Sequence, residues 1–128
     1  MIAIDEEIAS SLLALGRICL AMPFLVSGIH KLGWYRKALD EFKTYGAPLI
    51  AVTLPATIVL HLAGSICLVA GVFVAEAAGF LALFTVMATI KVHHFWTMQG
   101  EQRLIISRVA LANLGVTGGL LMVAVIAA

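Results

Sequence analysis

Charge is scarce in this chain. Lys and Arg number 8 and Asp and Glu 7, so charged residues make up 12% of the sequence, against about 25% in an ordinary soluble domain. The formal net charge of +1 gives no reason to propose nucleic acid as a partner. Phosphate-cradling glycine loops of the Gly-x-Gly-x-x-Gly or Walker kind are missing, and no nucleophile–base arrangement is visible. No segment alternates in the way a transmembrane β-barrel requires. The only cysteines are Cys19 and Cys67, both inside apolar stretches. Counted from the stretch ends, they differ in depth by roughly 10 Å at about 1.5 Å per residue. A disulfide tolerates about 7 Å between Cα atoms, so two free thiols are expected.

What the chain has instead is apolar length. Hydrophobic residues make up 62% of its 128 residues, with a mean hydropathy of +1.09. A bilayer core takes about 20 apolar residues per helix, and four such stretches fit, at residues 8–29, 49–74, 75–95 and 104–126. The expected fold is all-α, an integral membrane four-helix transmembrane bundle in a single domain, residues 1–128, with the lipid bilayer as its surroundings. The chain opens Met-Ile-Ala-Ile-Asp-Glu-Glu, which is acidic where a secretory signal is positive, so the first stretch should remain as a helix. Pro23 removes a backbone bond to the carbonyl of Cys19 and predicts a kink. Between the first two spans, apolar residues at 35, 38, 39, 42 and 45 fall on one helical face. They predict an amphipathic helix over residues 34–45, lying in the membrane interface or packed on the bundle.

Seven of the eight cations, Lys31, Arg36, Lys37, Lys43, Lys91, Arg103 and Arg108, lie in or near the first and third connections. Positive residues stay cytoplasmic, so both termini are expected outside. Small residues at Gly115 and Gly119, at Ala75 and Gly79, and at Gly64 and Gly71 predict close helix contacts.

The eighth cation, Arg17, sits inside the first span. A charge there is costly unless paired or wetted and marks a functional-site candidate. Counting from the cytoplasmic ends places Arg17, His61 and Asn113 at about 15–20 Å depth, with Thr85 and Thr89 near. Turned inward, these five form either a structural polar plug or a pocket for a polar head group, such as a quinone ring carbonyl or a small anion. No cofactor is certain; quinone is the candidate. His30, His93 and His94 cluster near the cytoplasmic face as weak metal candidates, but their spacing matches no ligand pattern.

Several runs resemble one family. Arg17-x6-Phe24-x3-Gly28-x2-Lys31, Tyr45-Gly46-Ala47-Pro48 and Leu60-His61-Leu62-Ala63-Gly64 are similar in order and spacing to the DoxX-like family of small four-helix membrane proteins. His93-His94-Phe95-Trp96 and Ala112-Asn113-Leu114-x3-Gly118-Gly119-x-Leu121 extend the resemblance. The chain departs at two positions: His61 stands where the family usually has Glu, and Ala112 where it has Lys. An Arg–Glu pairing expected in relatives therefore does not carry over. The resemblance implies a bacterial or archaeal cytoplasmic membrane and a role as a small accessory or anchoring subunit of a membrane redox complex, with other membrane subunits as partners. That is a non-catalytic subunit rather than an enzyme alone. A quinone- or small-molecule-binding redox subunit is the first alternative. A small-molecule transporter or cargo-binding protein is the second.

Overall fold

The computed structural model describes residues 4–128. Among them, α1 is Glu6–Gly33, α2 Tyr35–Thr44, α3 Ile50–Ala70, α4 Val74–Lys91 and α5 Gly100–Ala127, with a 3-10 turn at Phe95–Thr97 before α5. Four of these segments are long and apolar enough to cross a membrane. The expected all-α bundle, with a short helix between the first two spans, is the fold observed.

Local chemistry sets the ends. Asp5 caps α1 by accepting from the Glu7 N–H at 3.1 Å, and Glu6 and Glu7 place negative charge in its first turn, where the helix dipole favours it. Helix α3 stops at Gly71, whose φ of +77° suits glycine and disfavours other residues. The N–H of Val72 reaches back to the Cys67 carbonyl at 3.1 Å, the six-to-one bond of a Schellman-type end. The turn into α4 then needs only Val72 and Phe73, so α3 and α4 form a tight antiparallel hairpin.

Helix α1 packs on α3, α3 on α4 and α4 on α5, while α1 and α5 meet over a short stretch only. Glycine sets the closest approaches. A Cβ on Gly28 of α1 would lie 2.8 Å from Leu62 Cδ2 and 3.2 Å from His61 Cβ. One on Gly64 of α3 would lie 3.1 Å from Leu81 on α4, and one on Gly119 of α5 would lie 3.1 Å from Leu20 on α1. The other expected small-residue contacts differ. Gly79 and Gly115 have nothing within 4 Å of an added Cβ and face outward. The core runs through Ala21, Phe24, Leu68, Ala78, Leu81 and Leu120.

Helix α2 packs against the bundle. Its Ala38 is buried against Leu54 and Ile58 of α3, with Leu39 and Phe42 alongside. Tyr35 and Tyr45, at the edges of the same apolar face, are exposed. The face read from the spacing is real, and its middle closes the lower end of α3. Cys19 and Cys67 are free thiols.

Candidate functional site

The five polar residues expected to converge fall into three separate groups rather than one. Helices α1 and α5 each run 28 residues, whereas α3 and α4 run 21 and 18. Depth counting from helix ends assumes equal spans, and the short central hairpin breaks that assumption. Gly28, near the end of the first apolar stretch, packs on His61 and Leu62 in the middle of α3. Arg17, eleven residues earlier, is carried to the far end of the hairpin. There its Nη2 lies 3.2 Å from the position of a Cβ on Gly71. Gly71 is ten residues beyond His61, about 15 Å along a helix axis. Arg17 and His61 therefore do not meet. The guanidinium instead sits at the α3 C-terminus, where unpaired carbonyls and the negative end of the helix dipole favour a cation. Its Nε is buried without a hydrogen-bond partner.

His61 stands by itself and is only 3% exposed. Its ring meets Phe84 of α4 edge to face, with centroids 4.6 Å apart at 88°, and Phe24 of α1 at 5.5 Å and 65°. Both ring nitrogens are buried and neither has a hydrogen-bond partner. A buried polar group left unpaired costs about 1–3 kcal/mol, so His61 is the least satisfied residue of the interior. The sequence singles out the histidine but not the two phenylalanines that cage it. Phe24, four residues before Gly28 and on the same face of α1, was the available signal.

The third group joins α4 to α5. Asn113 donates from Nδ2 to Thr89 Oγ1 at 3.1 Å, and Thr89 donates to the Thr85 carbonyl at 2.8 Å. Thr85 in turn donates to the Leu81 carbonyl at 2.7 Å. Thr117 returns a bond to the Asn113 carbonyl at 2.8 Å. The threonines satisfy themselves within their helices, so Asn113 is the cross-helix tie. Asn113→Leu should cost about 0.6 kcal/mol, the average for such bonds in membranes, and no more than about 1.7 kcal/mol. Unfolding of the two forms in the same detergent micelle checks this.

Toward the loop end, His30 packs edge to face on Trp34 at 5.3 Å. His94 Nδ1 lies 2.7 Å from Thr97 Oγ1, and His93 Nδ1 is buried without a partner. Among the described residues, no three His, Cys, Asp or Glu side chains are grouped to hold a metal ion. The weak metal candidates are thus not brought together. What sequence reasoning missed is a groove of about 550 Å³ between α1 and α2, with Ser27, Lys31, Lys37 and Glu41 in its walls. Lys31 Nζ donates to Ser27 Oγ across one helical turn, and the spacing of four was the signal for it.

Apolar helices, charge confined largely to the connections and an interior with few polar groups define a small integral membrane protein. It belongs to the DoxX family, whose sequence profile matches residues 12–94. The match covers the first three spans and ends before α5. Inner membrane protein YphA of Escherichia coli (strain K12) is 24% identical over 90 residues, which is 70% of this chain and 64% of that protein. The chain therefore spans just under two thirds of the length of this curated relative. No solved structure matches it.

Proposed function

We propose that this protein is a small accessory and anchoring subunit of a larger membrane redox complex, seated in a cytoplasmic membrane with both termini outside. The observation that carries the anchoring role is an apolar groove of about 570 Å³ on the outer surface between α3 and α4, lined by the small Ala56, Ala63 and Ala77 together with the exposed Val59, Phe73 and Phe80, and with Glu76 at one end. Small residues let a second helix approach closely, which is how helices associate where lipid competes for every apolar contact. Glu76 adds one negative charge. The occupant that fits is a partner's transmembrane helix with a small-residue face and a Lys or Arg opposite Glu76. The redox part of the reading rests on the family resemblance alone. The cytoplasmic membrane is supported by the name of the Escherichia coli relative. The orientation is supported by the cation bias, with Asp5, Glu6, Glu7 and Glu76 at the opposite end.

A photo-crosslinker at Ala63 tests the groove. It should capture a membrane subunit of a redox enzyme, one that carries a haem, flavin, metal centre or quinone site. The same crosslinker at Leu121, on an exposed part of α5, should capture lipid. Lipid at both positions would refute the docking role.

One observation favours a second reading, that of a quinone- or small-molecule-binding subunit. The caged His61 has two unpaired nitrogens, and the one that carries the proton can donate to a carbonyl if α1 swings aside at Pro23. Thr85, Thr89 and Asn113 would then line the far wall, and Arg17 would act only at the hairpin end. Quinone retained by the native protein and lost on His61→Leu would favour this reading.

A further inference from the structure

The groove between α1 and α2 has a polarity that neither reading uses. At its deep end are Pro23 and Val26, inside the first apolar stretch. At the other end are Lys31 and Lys37, one from each wall. Trp34 joins the two helices at the rim and is 62% exposed. Its ring is held edge to face by His30. An aromatic at this position sits where hydrocarbon gives way to head groups.

We infer that this groove binds the phosphodiester head group of an anionic glycerophospholipid, with an acyl chain running along Pro23 and Val26. Three observations carry the inference. The first is charge: two lysines and Glu41 line the groove, which leaves one net positive charge, the complement of one phosphodiester. The second is preorganisation. The ammonium of Lys31 is tethered to Ser27 Oγ, and a lysine has three donors, so two remain to meet phosphate oxygens. The third is the start of α2. Its N-cap, Trp34, supplies no side-chain hydrogen bond to the first turn, and that turn borders the groove through Lys37. Free N–H groups at a helix start favour an anion. The apolar deep end is what selects a lipid over a free phosphate ion, because only a hydrocarbon chain gains by entering it.

This inference does not depend on the subunit reading, since it concerns a groove between two other helices and needs no partner chain. The test uses the full chain, purified in detergent and returned to nanodiscs of phosphatidylcholine containing a minor share of phosphatidylglycerol. Lipid that stays bound after gentle release is counted by native mass spectrometry. The wild-type protein should retain phosphatidylglycerol well above its share of the disc. A basic residue near the membrane surface contributes about fivefold in affinity for an anionic lipid. Lys37→Gln should therefore lower the preference about fivefold, and Lys31→Gln with Lys37→Gln about twenty-five-fold. Lys37 is exposed, so the single variant keeps the test valid if the double variant does not fold. Arg103→Gln with Arg108→Gln removes the same charge elsewhere and should leave the preference intact. An unchanged preference in Lys37→Gln, or an equal loss in the Arg103 and Arg108 variant, would overturn the site. Displacement of the lipid by millimolar inorganic phosphate would overturn the lipid assignment in favour of a free-anion site.

Discussion

Gly28→Leu should destabilise the bundle by about 3 kcal/mol or more, the upper end of the range for overpacking a filled interior. Even a single Cβ at this position would come within 2.8 Å of Leu62 Cδ2 and 3.2 Å of the His61 Cβ, distances at which the Leu62 side chain must give way. An isobutyl group would drive α1 away from α3 and open the cage around His61. Gly28→Ala should cost less, about 1–3 kcal/mol, because the tip of Leu62 can turn. Neither change adds charge or polarity, so the losses would report helix approach alone. Gly115→Leu is the control: it sits on an open face with nothing within 4 Å and should leave stability within about 0.5 kcal/mol of wild type. Unfolding of the three variants in one detergent checks the series, and a Gly115→Leu loss as large as that of Gly28→Leu would contradict the packing described.

His61→Leu should act in the opposite sense, raising stability by about 1–3 kcal/mol. The imidazole leaves two buried nitrogens without partners, and removing an unpaired buried polar group recovers its desolvation cost. Leucine fills a similar volume between Phe24 and Phe84, so the cavity term is small. The sign of the effect is informative. A gain means that the protein tolerates an unsatisfied histidine, and such tolerance is expected where a side chain serves binding rather than folding. A loss of stability would mean that His61 has a structural partner, a buried water being the simplest. Thermal unfolding of the purified protein reads the sign, and bound quinone in the same preparations decides whether the gain comes with a loss of ligand.

The spans were legible because bilayer thickness imposes length and lipid imposes composition, and both are written directly in the sequence. The amphipathic helix was legible for a similar reason. Apolar residues at 38, 39 and 42 can share a face only in a helix, whatever that face meets. The proximity of Asn113 and Thr89 also followed from depth counting, since the third and fourth spans are joined by a short connection. Arg17 was misplaced because the same counting assumes helices of equal reach. The lengths of α3 and α4 are set by a local event, the left-handed Gly71, whose effect on levels appears only when the hairpin is built. The glycine pairs show a different limit. Gly64 and Gly79 have the same sequence signal, yet one receives Leu81 and the other faces outward. Spacing fixes which residues share a face, not which face is covered. The lipid groove escaped detection because its two lysines lie on separate helices, and the bend at Trp34 brings them together.

The proposed subunit role is tested most directly by the mass and composition of the protein released gently from its own membrane. The account predicts this chain in a fixed ratio with a redox subunit that spans the membrane. It also predicts that Ala63→Leu, which adds bulk at an exposed position lining the α3–α4 groove, weakens that association more than Gly115→Leu does. Recovery of the chain alone, with lipid but no partner in any stoichiometric amount, would contradict it.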